Sequence, residues 1–129
     1  MNKLSITLLS LSFILISTIT SCKKDGVGGK NTIEAFPKHH GRSIPNAVVY
    51  IKYGATELPG TNASDYDDKE VATQDGNLSK ATFNNLLKGN YYLYSVGYDT
   101  TINEMVYGGI AVTITTKSGS QEVEVPVTE

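Results

Sequence analysis

From residue 31 onward, apolar side chains recur at every second position, not at the three- and four-residue spacing of a helix. The clearest example is the segment 47–53, with apolar side chains at Ala47, Val49, Ile51 and Tyr53. Such alternation predicts a strand that buries one of its faces. Applied along the chain, it predicts seven strands, near residues 32–37, 46–53, 69–73, 78–83, 90–98, 105–115 and 121–128.

Turn sequences containing glycine separate these segments, as at Asp75-Gly76-Asn77 and Lys88-Gly89-Asn90. Glycine and asparagine favour turns because they tolerate a positive φ. Many short strands joined by regular turns are typical of an antiparallel sandwich or barrel. No long window has a helical period. The sequence therefore predicts an all-β fold, a single antiparallel sandwich of seven strands.

The first 22 residues have a different pattern, which is typical of an export signal. Lys3 precedes an uncharged and largely apolar run over residues 4–20. The run leads into Ile19-Thr20-Ser21-Cys22, which resembles the lipobox of bacterial lipoproteins. The resemblance implies export by the Sec route, cleavage immediately before Cys22 and acylation of its sulfur. Because Lys23 replaces the Asp that retains many lipoproteins at the inner membrane, it also implies an outer-membrane anchor, on the periplasmic or the surface side.

The sequence thus divides into three segments. We expect a cleaved signal peptide over 1–21, a flexible tether over 22–30 that begins at acylated Cys22, and the β-sandwich domain over 31–129. Residues 23–30 contain three glycines and no large apolar side chain. A flexible tether of this length has a root-mean-square reach of roughly 15 Å.

A series of residues in the centre of the domain resembles a known family. Thr73-Gln74-Asp75-Gly76 is followed by Phe83, Leu86, Gly89, Tyr91 and Leu93. The series is similar to the pattern of carboxypeptidase regulatory-like, transthyretin-like (prealbumin-like) and collagen-adhesin B-type domains. The resemblance implies an Ig-like or prealbumin-like sandwich with a tight turn at Gly76, a positive φ at Gly89, and Tyr91 and Leu93 pointing inward. It implies little about function, since sandwiches serve many roles.

Composition narrows the functional classes. The chain has 129 residues, with 11 basic and 13 acidic side chains and a net charge of −2, so nucleic acid is not an expected partner. Cys22 is the only cysteine, so an intramolecular disulfide is impossible. The only histidines are the adjacent His39 and His40, and no serine–histidine–aspartate set or phosphate-binding loop occurs. We therefore expect a protein that is not an enzyme and needs no cofactor.

Two groups of residues are candidates for metal binding, although the default expectation is exposed histidines in a turn for one and a solvated acidic loop for the other. His39 and His40 would point to opposite faces of an extended segment, unless a turn brings them together. Acidic side chains crowd the segment 61–70, where carboxylate and carbonyl oxygens could supply a calcium site. These acidic candidates are Asp65, Asp67, Asp68 and Glu70.

The strand near 90–98 predicts an aromatic outer face. Its outward positions include Tyr92, Tyr94 and Tyr98, and pairing with the strand near 46–53 would add Tyr50. Tyrosine combines an apolar ring with a polar tip, which suits contact with a protein or a glycan. Asp99-Thr100-Thr101 resembles an acceptor pattern for O-glycosylation in some Gram-negative lipoproteins, with Thr100 as the acceptor.

These observations together predict a lipid-anchored, non-enzymatic β-sandwich module of the cell envelope that contacts a protein or a glycan. One alternative is a calcium- or glycan-binding component of an outer-membrane uptake system. Another is a small hydrolase with an unrecognised site. The sequence predicts the membrane as a partner through the lipid anchor, and leaves the oligomeric state open.

Overall fold

The computed structural model describes residues 25–129, and within them the fold is all-β. The signal peptide and Cys22 lie outside the described residues. A short 3-10 turn covers Ala63–Asp65. The strands are β1 Val27–His39, β2 Arg42–Ser43, β3 Val48–Tyr53, β4 Asp68–Val71, β5 Thr73–Asp75, β6 Leu78–Leu86, β7 Gly89–Asp99, β8 Glu104–Ile114 and β9 Ser118–Pro126.

The strands form two sheets. The larger sheet has the order β2-β1-β6-β5, with β9 paired to β1, and the other sheet has the order β4-β3-β7-β8. Each of the seven predicted strands has a counterpart. The count was too low, because β2 and β5 have only 2 and 3 residues, too few to show an alternating pattern.

One pairing differs from the antiparallel prediction, since β9 runs parallel to β1 over residues 30–38 and 118–126. The other pairs in the described part of the chain are antiparallel. Parallel strands need a long connection. Here the connection consists of β2 to β8, which pass through both sheets before the chain returns to β1. A period of two is common to both orientations, so the pattern alone could not distinguish them.

The core lies between the two sheets and contains the predicted inward side chains. Phe83, Leu86, Tyr91 and Leu93 are all buried, and Tyr91 and Leu93 are the two that were expected to point inward. Gly89 has the expected positive φ (152°), and Gly76, in the expected turn, has a φ of 63°. Both sheets contribute to the core, which includes Ile33, Ala35, Val49, Ile51, Ala81, Val106, Val112, Val123 and Val125.

The folded body begins earlier than residue 31, the predicted start of the domain. Residues 27–30 belong to β1. Asp25 accepts a hydrogen bond from the Asn90 amide through Oδ1 (2.8 Å), and the Gly26 amide donates to the Tyr91 hydroxyl (3.0 Å). Gly28 and Gly29 suggested a flexible segment, but they also permit strand pairing, because a side chain at Gly29 would overlap the Leu86 carbonyl.

Among residues 25–129, no helix is long and apolar enough to cross a membrane.

Candidate functional site

The outer face of the β4-β3-β7-β8 sheet is largely apolar and aromatic, and we call it the apolar face. The strand register places Val71, Val48, Val96 and Tyr107 in one row across all four strands. Tyr98 and Met105 pair in the next row of β7 and β8. Lys69, Tyr50, Tyr94 and Gly109 form a row on the other side.

Much of this apolar face is open to solvent. The exposed fractions are 48% for Val71, 46% for Tyr98, 52% for Met105 and 49% for Tyr107. Contiguous apolar surface is uncommon on soluble proteins outside interaction sites. Tyrosine and methionine are also enriched in protein interfaces, whereas charged side chains are depleted from their centres.

The opposite outer face, on the sheet that contains β1, has a different character. Lys80 forms ion pairs with Glu34 (2.8 Å) and Asp75 (3.0 Å). Lys38 pairs with Glu124 at 2.9 Å. The apolar face also carries Lys69 and the ion pair Lys52–Asp67 (3.4 Å), but these lie beside the β3–β4 connection. The rest of this face is apolar, which marks it as the candidate contact surface.

The tyrosines predicted to form one exposed face have different environments. Tyr98 is exposed, and Tyr50 and Tyr92 are half-buried. Tyr94 contradicts the prediction, because it is only 5% exposed. Tyr66 covers it, with the two rings stacked at a centroid distance of 5.7 Å.

Tyr66 was missed as a site residue because its segment has no strand pattern. It follows the 3-10 turn, and its hydroxyl donates to the Gly60 carbonyl at 2.7 Å. Its ring also lies 5.5 Å from that of Tyr50. Burial, followed by the effects of Tyr94, Tyr92 and Asp65, raises the pKa of Tyr66 to about 12. The long connection between β3 and β4 therefore covers one end of the apolar face.

Met105, Tyr107 and Val71 were also missed. The alternation of β8 contained the signal for Met105 and Tyr107, because they are two positions apart and flank buried Val106. Gly109 shapes the same strand. A Cβ there would lie 2.6 Å from Cε1 of Tyr92, so glycine lets the Tyr92 ring lie across the sheet.

Most of the acidic side chains considered as calcium ligands already accept backbone hydrogen bonds. Asp65 accepts a hydrogen bond from the Asn62 amide (3.0 Å) in a capping box. Asp67 accepts one from the Tyr53 amide (2.7 Å), and Asp68 accepts one from the Lys69 amide (2.8 Å). Glu70 lies exposed on β4. In the part of the chain that the structure describes, these side chains do not converge as a set of three metal ligands.

A pocket of about 290 Å³ lies where the β3–β4 connection meets the sheet. Its lining residues are Tyr50, Ala63, Tyr66, Asp67, Asp68 and Lys69. Two aromatic rings therefore stand beside carboxylate acceptors and an ammonium donor, a combination that suits a polar ligand with an apolar face.

A second polar cluster lies at the β1–β2 turn. His40 and Gly41 have φ values of 50° and 76°, as a two-residue hairpin of the type I′ class requires. The turn brings the two histidine rings into edge contact, with centroids 4.2 Å apart. His39 is buried, and its Nδ1 lies 2.8 Å from Oδ2 of Asp99.

Asp99 is the centre of this cluster. Its Oδ1 accepts hydrogen bonds from the Thr101 hydroxyl (2.6 Å) and amide (2.8 Å). The hydrogen bonds from Thr101 and His39 hold the pKa of the Asp99 carboxyl well below its usual range, with a smaller contribution from Arg42. Thr100, the predicted glycosylation site, is exposed in the β7–β8 turn.

No protein-family model, curated protein or solved structure matches this chain. The chemistry of its own surfaces is therefore the basis for a functional proposal.

Proposed function

We propose that this protein is a lipid-anchored, non-enzymatic module of the bacterial cell envelope whose apolar face binds another envelope protein. We assign its sandwich to the Ig-like or prealbumin-like type, in the carboxypeptidase regulatory-like class. The observation that carries the contact role is the difference between the two outer faces. Among the described residues, four exposed apolar side chains lie on one sheet, namely Val71, Tyr98, Met105 and Tyr107, and two, Val27 and Leu78, lie on strands of the other. The ion pairs of Lys38 and Lys80 lie on that other sheet, whereas the first carries the pair Lys52–Asp67.

The lipobox supports the lipid anchor. Together with the fold, it also suggests how the domain would be oriented at the outer membrane. Two residues separate Cys22 from Asp25, so the acylated sulfur would lie at most about 11 Å along the backbone from the first docked residue. β1 then extends for 13 residues from Val27 to His39, a length of about 40 Å. Its His39 end would point away from the membrane, and the apolar face would be accessible from the side.

Acylation can be tested separately from binding. Cells that produce the full chain are fed a labelled fatty acid, and the Cys22→Ser variant is compared with the natural sequence. We expect label in the natural chain alone. Equal labelling of both chains would refute the anchor while leaving the apolar face open to test.

The contact role requires a test specific to the apolar face. A photo-crosslinking amino acid is placed at Tyr98, and proteins joined to it in intact cells are identified by mass spectrometry. A specific partner should be lost when Met105 and Tyr107 are both changed to lysine. It should persist when Ser120 and Glu122, exposed residues of β9 on the charged face, are changed to lysine. Loss in both variants, or retention in both, would contradict the proposal.

The pocket beside Tyr66 favours glycan binding as a second candidate function. Its rings could stack on a sugar while Asp67 and Asp68 accept hydrogen bonds from hydroxyl groups. Purified envelope polysaccharide should then be retained by the natural chain and released by Tyr66→Ala, with Met105→Lys as a control outside the pocket. Equal retention by the natural chain and both variants would refute this role.

A further inference from the structure

Three side chains with metal-binding atoms meet at the end of the sandwich formed by the β1–β2 turn. They belong to His39, His40 and Glu129, and one possible ligand atom from each lies within 4.8 Å of the others. The histidines are adjacent, whereas Glu129 is 90 positions beyond His39. Two backbone hydrogen bonds between Thr128 and Tyr107, at 2.8 and 3.0 Å, position the segment that carries Glu129.

His39 has the environment that metal-binding histidines commonly have, with one ring nitrogen hydrogen-bonded to a carboxylate. Its side chain is 3% exposed, and Nδ1 lies 2.8 Å from the Asp99 carboxylate. A carboxylate on Nδ1 holds a neutral ring as the Nδ1–H tautomer, which leaves the lone pair of Nε2 free for a metal. The Thr101 hydroxyl and amide both donate to the other oxygen of Asp99, and these bonds fix the carboxylate beside His39.

The Nε2 atom itself is buried and has no hydrogen-bond partner among the described residues. It lies 2.8 Å from Oε2 of Glu129, in ion-pair contact but outside the angles of a hydrogen bond. A buried polar atom without a hydrogen bond is destabilising, and a cation bound between Nε2 and the Glu129 carboxylate would satisfy it.

We propose that His39 Nε2, His40 and Glu129 form a site for a divalent transition-metal ion, with Asp99 as the residue that positions His39. Imidazole nitrogen favours zinc, copper and nickel over calcium or magnesium, and Zn²⁺ is the probe that we choose. Three protein ligands leave the fourth position of a tetrahedral zinc ion to water.

The geometry requires a local adjustment, because the three ligand atoms are grouped within 4.8 Å of one another and are not yet at the spacing of zinc ligands. Tetrahedral zinc with ligand bonds of about 2.0–2.1 Å separates neighbouring ligand atoms by about 3.3 Å. The separation of 2.8 Å between His39 and Glu129 must therefore widen slightly. Glu129, with a side chain 51% exposed, and exposed His40 are free to move, while His39 stays in place.

Charge also favours a cation. Asp99 and Glu129 contribute two carboxylates, and Arg42 contributes one nearby positive charge, with Nη2 3.6 Å from Asp99 Oδ2. The competing arrangement is His39 in contact with the two carboxylates without any metal. The two arrangements differ in whether zinc binds, and that is what the experiment measures.

The test uses the full chain in detergent, purified without a polyhistidine tag and titrated with zinc chloride in a calorimeter. We expect saturable binding of one zinc ion per chain. His40→Gln and Glu129→Gln should each lower the affinity about tenfold or more. Glu122→Gln, which changes an exposed carboxylate on β9, should leave it unaltered. Absence of saturable binding, or equal affinity in all of these chains, would overturn the proposal. Zinc held by the Cys22 thiol would give the second of these results.

The positioning role of Asp99 has its own readout. Nitrogen NMR of the natural chain should show His39 as the Nδ1–H tautomer, with zinc shifting the Nε2 resonance. In Asp99→Asn, the side-chain amide can donate to Nδ1, so the Nε2–H tautomer should increase and zinc affinity should fall about 10–100-fold. An unchanged tautomer together with an unchanged zinc affinity would refute the positioning role of Asp99. If Asp99→Asn impairs folding, His40→Gln, at an exposed position, still tests the metal site.

Discussion

The hydroxyl of Tyr91 connects the start of the folded body to its core, and its removal is a direct test of that connection. It donates a hydrogen bond to the Leu87 carbonyl (2.6 Å) and accepts one from the Gly26 amide (3.0 Å). The Leu87 amide in turn donates to the Gly26 carbonyl (2.8 Å). Tyr91→Phe removes the oxygen and retains the buried ring.

The expected loss follows from the groups left without partners. Gly26 is buried, so its amide cannot recover a water hydrogen bond without movement of the segment. An unsatisfied buried donor costs about 1–3 kcal/mol. Leu87 is only half-buried, and water can replace the hydroxyl at its carbonyl. We therefore expect the free energy of unfolding to fall by about 1–3 kcal/mol, a sizeable part of the roughly 5–15 kcal/mol of a typical domain.

Urea unfolding would measure this loss, and amide hydrogen exchange at Gly26 would locate it. Tyr53→Phe is the matched control, since the two rings are neighbours with centroids 5.9 Å apart. The Tyr53 hydroxyl has no hydrogen-bond partner within residues 25–129. Equal stability losses in the two variants, with unchanged exchange at Gly26, would refute the role of the Tyr91 hydroxyl.

Two further predictions concern the buried polar and aromatic groups. Asn31 is 2% exposed and donates to the Leu86 and Thr116 carbonyls at 3.2 and 3.0 Å, so Asn31→Ala should lower the unfolding free energy by about 2–4 kcal/mol. Urea unfolding should show a much smaller loss, below about 0.5 kcal/mol, for exposed Asn84→Ala, and similar losses would contradict the burial argument. Burial raises the pKa of Tyr66 to about 12, whereas tyrosine in the unfolded chain ionises near pH 10. This contribution to stability is present below about pH 10 and is lost as the pH rises toward about 12. Tyr66→Phe should therefore reduce the fall of the unfolding free energy between these two pH values. An unchanged fall in the variant would show that Tyr66 does not cause it.

The strands could be predicted because their cause is local. Alternation at Val49 and Ile51, and again at Val123 and Val125, identifies a buried face wherever the strand later pairs. The positive φ values at Gly76 and Gly89 were also predictable, since they belong to recognisable turns. The parallel pairing of β9 with β1 was not, because the same alternation fits either direction.

The two candidate sites were only partly predictable. The tyrosines of β7 lie on the face that alternation assigns, but Tyr94 is covered by Tyr66 from a segment with no periodic pattern. The two histidines were expected to be exposed, and to point apart unless a turn intervened; a positive φ at His40 turns their rings together, and His39 is buried. A backbone conformation of that kind at a residue other than glycine has no simple signature in the sequence.

By itself, the sequence determined the all-β class, the inward faces of the principal strands and the absence of an intramolecular disulfide. These properties depend on local periodicity and composition. The tertiary structure decided which outer face remained apolar, which tyrosine was covered, and that Glu129 lies beside His39. Those outcomes depend on contacts between residues far apart in the chain, where sheet order and strand direction determine the neighbours that a local pattern cannot specify.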